Sequence, residues 1–300
     1  MSILEVEHLT KDYGPNKGVF DVSFEIETGE VFGFLGPNGA GKTTTIRHIL
    51  GFSKPQIGST TVLGMNSWTE QDKIQRQLGY LPGEIAFPDD MTGAQLIKQV
   101  AEMRGIKDMS KADMLIKRFE LDPSGGLKRM SKGMKQKTGI VCAFMHDPDV
   151  LVLDEPTNGL DPLMQSIFID LSQEEKNAGK TILLSSYMFE EVEDTCDRIG
   201  IIKQGKLVTI VDPEDIRHAD DKIFKIELCT SEDYQKILQE ELFFILKEPD
   251  KKQVRVKVCD EDINRFIEML THYAVKYMSE DKHTLEEYFM KYYDGGISND

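Results

Sequence analysis

The chain has 300 residues, of which 40% are hydrophobic and 29% are charged, and its formal net charge at pH 7 is −16. This composition is typical of a globular chain of one or two domains, and no apolar run approaches the roughly 20 residues that span a bilayer. The acidic balance argues against a nucleic-acid binder, which usually carries a basic face, and against broad electrostatic adhesion to anionic lipid.

Strand and helix patterns alternate through the first two thirds of the chain. Alternating apolar residues predict half-buried strands, nearly continuous apolar runs predict buried ones, and Gln204-Gly205 is a hairpin signal. This order predicts a mostly parallel sheet with helices packed on it. The predicted strands are residues 3–7, 19–26, 31–35, 150–153, 181–185, 199–203 and 206–210, and the predicted helices are residues 95–104, 111–119 (with Ser110 as N-cap), 131–145 and 161–179.

The composition changes near Asp212-Pro213, which predicts a domain boundary. We expect a first domain at residues 1–214, with a helical subdomain at about 90–147, and a second domain at 221–300. The second domain has the order of a βαββαβ split unit, in which Phe243-Phe244 is interpreted as core and His283 as a surface histidine. Its predicted strands are 223–228, 242–246, 254–258 and 274–278, and its predicted helices are 232–239, 262–270 and about 285–292.

A glycine-rich loop follows the strand at residues 31–35 and leads into a helical run. The loop fits G-x-x-x-x-G-K-[ST], in which the backbone wraps phosphate oxygens and the helix N-terminus attracts their charge. A chance glycine turn does not explain all four fixed positions. Lys42 can reach the β- and γ-phosphates of ATP, and Thr43 can ligate Mg²⁺. The predicted ATP-binding residues here are Gly36, Pro37, Asn38, Gly39, Ala40, Gly41, Lys42, Thr43 and Thr44.

Asp154 and Glu155 follow the buried strand predicted at residues 150–153. Carboxylates at the carboxyl end of a parallel strand lie on the ligand side of the sheet. Asp154 would orient Mg²⁺ or its water shell, and Glu155 would polarise the attacking water as a general base. Asp-Glu alone is an ordinary pair of surface acids, but downstream of the phosphate loop it predicts a P-loop ATPase.

A third motif, MSKGMKQ at residues 130–136, lies between the first two. It resembles the signature motif LSGGQ of ATP-binding cassette (ABC) proteins, with Met for Leu, Lys for the first paired Gly and Met134 for Gln. An SKGM-type variant is typical of the exporter-like branch of that family. The resemblance covers residues 3–211. It implies an α/β P-loop cassette with an antiparallel β subdomain and a helical subdomain, followed here by a small α+β domain.

The resemblance implies a head-to-tail dimer, homomeric or heteromeric. Each ATP would lie between one subunit's phosphate loop and the other subunit's signature residues. Tyr13 corresponds to the aromatic residue that stacks on adenine, and Asp161 to the loop that crosses the dimer interface; taken alone, they are a turn tyrosine and a helix N-cap. The signature residues are Ser131, Lys132, Gly133 and Met134.

Two positions depart from the family pattern. Glu84 follows Gly83 where the family usually has Gln; Glu84 can reach the metal or its water, whereas Gly83 alone would leave that position empty. Tyr187 stands where the family has its switch histidine, and Tyr does not titrate near pH 7 as His does. Three interpretations follow. The site hydrolyses ATP more slowly, or the Tyr hydroxyl group is sufficient in place of the histidine, or the site is inactive and is paired with a competent site of a partner chain. Because Glu155 is present, we favour retained but reduced hydrolysis.

The resemblance also implies a multi-span membrane transporter subunit as partner. The chain would then be cytoplasmic and peripheral on the inner face of the cell membrane, held through this partner and without a direct lipid anchor. The first residues, MSILEVE, do not have the pattern of a secretory signal. Cys142, Cys196, Cys229 and Cys259 have no metal-ligand spacing, which favours free thiols in a reducing cytosol.

Two other functions remain open. A soluble cassette protein of translation or DNA repair usually has two cassettes or long charged inserts, whereas this acidic chain has one phosphate loop. A cassette that binds ATP as a regulatory or immunity module, with little hydrolysis, is compatible with Tyr187. The end of the chain, TLEEYF at residues 284–289, resembles the terminal helix of exporter-type subunits for drugs, bacteriocins or sodium. This resemblance implies a regulatory or dimer-bracing second domain.

Overall fold

The computed structural model describes residues 2–15, 17–217, 221–281, 285, 286 and 289. The chain divides into two compact units, Met1–Val211 and Asp212–Asp300. The first unit contains two sheets and the second unit contains one, and each unit has its own hydrophobic core. Over the described part of the chain, no helix is both long enough and apolar enough to cross a membrane.

The first unit contains ten strands and seven α-helices within the described residues. Strands and helices alternate as predicted, but three strands and two helices are not among the predicted elements: Ile57–Val62, Met65–Asn66, Leu78–Leu81, Gln71–Gln77 and Phe189–Thr195. The strands are β1 (Ser2–Gly14), β2 (Lys17–Glu27), β3 (Val31–Leu35), β4 (Ile57–Val62), β5 (Met65–Asn66), β6 (Leu78–Leu81), β7 (Val150–Asp154), β8 (Thr181–Ser186), β9 (Arg198–Lys203) and β10 (Lys206–Val211). The helices are α1 (Lys42–Ile49), α2 (Gln71–Gln77), α3 (Gly93–Arg104), α4 (Ser110–Arg118), α5 (Lys132–Phe144), α6 (Pro162–Asn177) and α7 (Phe189–Thr195).

The larger sheet of this unit has the strand order β10-β9-β3-β8-β7-β6. The five strands from β9 to β6 are parallel, and β10 pairs with β9 in the antiparallel sense through the predicted Gln204-Gly205 turn, in which both residues have positive φ. Every residue of β3, β7 and β8 is buried, as expected of strands covered on both faces. The predicted α/β class with a mostly parallel sheet is confirmed.

The smaller sheet has the order β2-β1-β4-β5 and is antiparallel throughout. Its inward residues share one hydrophobic core with α1 and with the face of the larger sheet. The ring of Phe24 on β2 stacks on the ring of Phe32 on β3, with 5.1 Å between their centroids. This contact packs the two sheets together.

Three helices, α3 to α5, occupy the segment in which the helical subdomain is predicted. Helix α3 begins with a capping box, in which Thr92 and Gln95 each satisfy the other's backbone N–H. The prediction of Ser110 as an N-cap is wrong: Ser110 is the first residue of α4, and Met109 precedes it without a side-chain cap. The Asp108 carboxylate accepts the hydrogen bond from the Ser110 amide instead, at 2.9 Å.

The strands of the second unit are β11 (Asp221–Leu228), β12 (Phe243–Glu248), β13 (Gln253–Cys259) and β14 (Val275–Asp281). They form an antiparallel sheet with the order β12-β13-β11-β14, and the strands and helices follow one another in the order of the predicted βαββαβ unit. Leu285, Glu286 and Phe289 are helical, whereas the rest of the predicted terminal helix and His283 lie outside the described residues. The α-helices of this unit within the described residues 212–217 and 221–281 are α8 (Pro213–Arg217), α9 (Ser231–Ile237) and α10 (Ile263–Leu270).

The prediction that Phe243 and Phe244 are both core residues is wrong for Phe243. Successive side chains of a strand point to opposite faces of its sheet. Phe244 packs against the core of the second unit, whereas Phe243 is 68% exposed.

A stability prediction follows from the close approach of β6 to α5. A Cβ atom at Gly79 would run into the carbonyl oxygen of Ala143 and lie 2.7 Å from Cδ2 of Leu151. We expect Gly79→Ala to destabilise the first unit by about 1–3 kcal/mol, the usual cost of overpacking. Urea unfolding followed by the fluorescence of Trp68, the single tryptophan of the sequence, measures this cost.

Gly125→Ala is the matched control, because a Cβ atom at Gly125 meets nothing within 4 Å. We expect its effect to lie within about 0.5 kcal/mol of the parent. Equal stability of the two variants would show that α5 and β6 separate to accept the methyl group.

Candidate functional site

The candidate site lies where neighbouring parallel strands of the larger sheet end. Strand β3 leads into the phosphate loop, β7 ends at Asp154, and β8, which lies between them, ends at Ser186. These ends meet at one edge because the strands run in the same direction. A cavity of about 1230 Å³ opens beside this edge. Its lining includes the predicted site residues Tyr13, Asn38, Gly39, Gly41, Lys42, Thr43, Thr44, Glu84, Lys132, Asp154 and Glu155.

The phosphate loop keeps its backbone amides at the start of α1. Gly41 is the N-cap residue of α1 with φ of 115°, and Gly39 has φ of 80°, conformations that other residues rarely adopt. No side chain caps α1. The open amides and the helix dipole are therefore available to an anion in the cavity. Gly36, Pro37 and Ala40, which belong to the same loop, do not line the cavity.

Lys42 folds back over this loop. Its Nζ donates hydrogen bonds to the carbonyl oxygens of Gly36, at 2.6 Å, and Pro37, at 3.2 Å. The side chain is only 4% exposed, and Nζ lies 3.5 Å from Oε1 of Glu155. Burial lowers the pKa of Lys42, and the carboxylates of Glu155 and Asp154 oppose this shift. A buried ammonium group beside open backbone amides is suited to phosphate oxygens.

Asp154 lies at the end of β7 and is buried. One carboxylate oxygen, Oδ2, accepts a hydrogen bond from Thr43 Oγ1 at 2.8 Å. The other, Oδ1, accepts a hydrogen bond from Ser185 Oγ on β8. The sequence identified Thr43 and Asp154, but Ser185 was missed, because nothing in the sequence shows that β8 lies beside β7.

Glu155 is held by both its backbone and its carboxylate. The residue has φ of 49°, and its amide donates to the carbonyl oxygen of Ser185 at 3.0 Å. Oε2 accepts a hydrogen bond from Nδ2 of Asn158 at 3.1 Å. Gln136 on α5 donates from Nε2 to the backbone carbonyl of Glu155 at 3.2 Å. The carboxylate, 18% exposed, is thus fixed at the wall of the cavity.

The signature residues lie at the start of α5. Ser131 is the N-cap, and its Oγ accepts from the amide of Met134 at 3.2 Å. Gly133 lies against the loop after β7, because a Cβ atom there would be 2.7 Å from the carbonyl oxygen of Gly159. Of the four signature residues, Lys132 alone lines the cavity, and Ser131, Gly133 and Met134 do not.

Tyr13 and Asp161 lie at separate places around the loop edge. Tyr13 lines the cavity, is 54% exposed and has its hydroxyl 3.3 Å from Oγ of Ser53. Asp161 is the N-cap of α6, where its Oδ1 accepts from the amide of Met164 at 3.1 Å, and it does not line the cavity.

The two positions that depart from the family pattern differ in their surroundings. Gly83 and Glu84 both line the cavity. Gly83 lies against the carboxylate of Asp154 at the end of β7, since a Cβ atom at Gly83 would be 3.2 Å from Oδ2 of Asp154. Tyr187 follows β8, is 43% exposed and is not among the residues that line the cavity.

Glu191, a residue that the sequence did not single out, is buried beneath the end of β8. Its Oε2 accepts a hydrogen bond from Ser186 Oγ at 2.5 Å. Burial raises the pKa of Glu191 to about 7; hydrogen bonds from Ser186 and Thr157 act in the opposite direction, and the nearby charge of Glu155 adds to the rise. The carboxyl group therefore takes up its proton more readily in the folded chain than in the unfolded one.

This shift predicts a pH-dependent stability. A carboxyl group whose pKa rises from 4.5 to about 7 on folding contributes fully below pH 4.5, and its contribution is lost as the pH rises through 7. Glu191→Gln keeps an acceptor for Ser186 and removes this loss. Relative to the parent, we expect the variant to gain about 3 kcal/mol between pH 4.5 and pH 8, at about 1.4 kcal/mol per pKa unit.

Urea unfolding at pH 4.5 and pH 8, followed by Trp68 fluorescence, measures the difference. Glu190→Gln is the control, since it removes the same charge at an exposed position of the same helix. A Glu191→Gln variant whose stability depends on pH as steeply as the parent's would exclude the raised pKa.

The sequence matches a known family. The ABC transporter family matches residues 19–158. The chain is 34% identical over 280 residues to the uncharacterized ABC transporter ATP-binding protein YhcH of Bacillus subtilis (strain 168), covering 92% of this chain and 90% of that protein. It is 32% identical over 307 residues to the bacitracin transport ATP-binding protein BcrA of Bacillus licheniformis, covering 98% of each.

The fold also matches a solved structure. A structure described as the ATP binding subunit of an ABC transporter has a TM-score of 0.65 and 32% sequence identity. The match covers 72% of this chain and 92% of the solved chain.

Proposed function

This chain belongs to the family of ABC transporter ATP-binding proteins, and from this membership we propose that it drives export as one half of an ATP-closed dimer. Binding ATP and hydrolysing it to power a membrane transporter is the activity of this family. We propose in addition a direction of transport, the roles of individual residues and the partners of the chain. The observation that carries it is the convergence of Lys42, Thr43, Asp154 and Glu155 on one cavity.

The charges of the cavity support ATP as the ligand. Five cationic side chains line it, although the whole chain carries a net charge of −16. Lys42 and the open amides of α1 would bind the β- and γ-phosphates, with Thr44 at the same helix end. Tyr13 offers an exposed ring for stacking on adenine at the cavity wall. The five cationic residues are Lys17, Lys42, Arg47, Lys132 and Lys135.

The donor set fits Mg²⁺. Thr43 Oγ1 and Asp154 Oδ2 are hard oxygen donors 2.8 Å apart, with Glu84 on the same cavity. Among the residues that the structure describes, no group of three or more His, Cys, Asp and Glu could hold a metal by itself. Mg²⁺ commonly takes one or two protein oxygens and completes its shell with phosphates and waters. When bound, it would neutralise the charge that develops on the transferred phosphoryl group.

Glu155 is proposed as the general base. Its backbone follows directly on Asp154, and its carboxylate borders the cavity on the same side as Lys42. From there it would accept the proton of a water that attacks the γ-phosphate. The contacts from Lys42 and Asn158 limit the rotation of the carboxylate, which is the positioning that phosphoryl transfer depends on.

The place of the signature residues supports a dimer. Ser131 and Gly133 lie at the N-terminus of α5 but do not line the cavity that the same chain's phosphate loop borders. A helix N-terminus attracts an anion. In a head-to-tail dimer, this end of α5 would meet the γ-phosphate bound by a second subunit. Asp161 would then lie at the interface, and ATP would stabilise the closed dimer.

Export is the preferred direction. The SKGM-type signature at residues 131–134 supports it, and the relative from Bacillus licheniformis is named for bacitracin transport. The chain would act on the cytoplasmic face of the membrane, bound to a multi-span subunit that selects the cargo. The second unit, whose segment at residues 284–289 resembles the terminal helix of exporter-type subunits, would brace or regulate the dimer.

A substitution of the proposed base tests the hydrolytic mechanism. Glu155→Gln removes the proton acceptor but keeps the size of the side chain. We expect ATP binding to be retained, turnover to fall by about 10²–10⁴-fold and an ATP-bound dimer to accumulate. Phosphate release and size-exclusion chromatography with ATP measure these effects. Glu102→Gln, on the exposed face of α3, is the control. Near-normal turnover in Glu155→Gln would exclude Glu155 as the base.

Tyr187 is proposed to slow hydrolysis without abolishing it. A histidine there would supply a group that titrates near neutral pH. We expect Tyr187→His to raise steady-state turnover by up to about tenfold, which corresponds to about 1.4 kcal/mol of transition-state stabilisation. A phosphate-release assay of the purified chain measures the change.

Tyr187→Phe is the companion variant, because it removes only the hydroxyl group. A fall in its turnover would support a direct role of that hydroxyl. If Tyr187→His is no faster than the parent, the histidine argument fails. If the parent binds ATP with no measurable turnover in any variant, the chain is an ATP-binding regulatory module, which is the second candidate function.

A further inference from the structure

A chain of three side chains connects the first turn of α5 to Glu155 of the same chain. Lys132 Nζ donates to Oδ1 of Asn158 at 2.6 Å. Asn158 Nδ2 then donates to Oε2 of Glu155 at 3.1 Å. The family resemblance places Lys132 toward the ATP of a second subunit, whereas its contact within this chain is with Asn158. We propose that Lys132 is a positioning residue that holds Glu155 through Asn158, an inference that rests on the proposed role of Glu155.

Lys132 fixes the orientation of the Asn158 amide. A lysine ammonium group can only donate hydrogen bonds, so it selects the carbonyl end of the amide. The NH₂ end of Asn158 must then face Glu155, whose ionised carboxylate can only accept. Both hydrogen bonds are therefore made by the same orientation of the Asn158 amide group.

The backbone around this contact is closely packed. A Cβ atom at Gly159 would lie 2.9 Å from Cγ and Cδ of Lys132, so the stem of the lysine packs over Gly159. One turn further along α5, Gln136 is buried and donates to the carbonyl oxygen of Pro156 at 2.7 Å. The start of α5 and the loop at residues 155–159 thus hold each other in place.

The consequence is a carboxylate with an ammonium group beside one oxygen and a hydrogen-bond donor at the other. Lys42 lies 3.5 Å from Oε1 of Glu155, and Asn158 binds Oε2. Lys42 reaches Glu155 from the phosphate loop and Lys132 acts on it from the signature turn. The orientation of the base therefore depends on both motifs of its own chain. A misplacement of about 1 Å in such a group is enough to slow a reaction by up to 10²-fold.

The test is a double-substitution cycle on the full chain, with steady-state hydrolysis of Mg-ATP as the readout. Lys132→Met removes the donor with little change in length, and Asn158→Ala removes the amide. We expect each to lower kcat by about tenfold and to leave KM within about twofold. We expect the double variant to be no slower than the slower single variant, because both act through one contact.

Two further variants separate positioning from loss of charge. Lys132→Arg keeps a donor for Oδ1 and should restore most of kcat. Lys137→Met removes the same charge from α5 at a position that does not line the cavity, and we expect it to leave kcat unchanged. Thermal unfolding, followed by Trp68 fluorescence, tests whether each variant is folded. If Lys132→Met does not fold, Lys132→Gln takes its place in the cycle.

The possible failures are distinguishable. If Glu155→Gln alone keeps near-normal turnover, the proposed base is wrong. If Glu155→Gln loses turnover but the Lys132 and Asn158 effects multiply, Lys132 acts on another group and the positioning proposal is overturned. A rise in KM at constant kcat would likewise overturn it, because Lys132 would then act on the bound nucleotide.

Discussion

The buried carboxylate of Asp154 joins the parts of the site, because each of its oxygens is bound by a hydroxyl group from a different segment. Thr43 reaches it from the start of α1, and Ser185 reaches it from β8. A buried carboxylate without such partners would be costly, so the three segments are held in one arrangement. Lys42 precedes Thr43 in the chain, and Glu155 follows Asp154. The distance of 3.5 Å between Lys42 Nζ and Glu155 Oε1 therefore depends on this arrangement.

The charge of the cavity differs from the charge of the protein. The net charge of −16 argues against nucleic acid as a partner, yet the cavity is lined by five Lys and Arg side chains. Since charges separated by more than about 10 Å are largely screened at 0.1 M salt, an anion in the cavity responds mainly to the charges that line it, in which the five cations outnumber the carboxylates of Glu84, Asp154 and Glu155. A net negative charge therefore does not prevent the cavity from attracting a phosphate group, as the proposed function requires.

The sequence predicted most strands and helices because their apolar patterns are local, and it predicted the motif residues because they are contiguous. Two of its errors have local physical causes. Asp108 takes the capping contact expected of Ser110, and the alternation along β12 exposes Phe243 while Phe244 is packed. Partners that come from distant segments were missed, as with Ser185 beside Asp154 and Gln136 behind Glu155.

By itself, the sequence determined the class of the fold, because the apolar pattern of each segment is local. It also determined the glycine loop that contains Lys42 and the acidic pair at residues 154 and 155, because each is encoded in a short run of residues. The tertiary structure alone decided that β8 lies between β3 and β7, and that Lys132 meets Asn158 across 26 residues of chain. The physical reason is that hydrogen bonds between side chains depend on which segments become neighbours. Which segments become neighbours depends on the packing of the whole unit and cannot be derived from the pattern of any one segment.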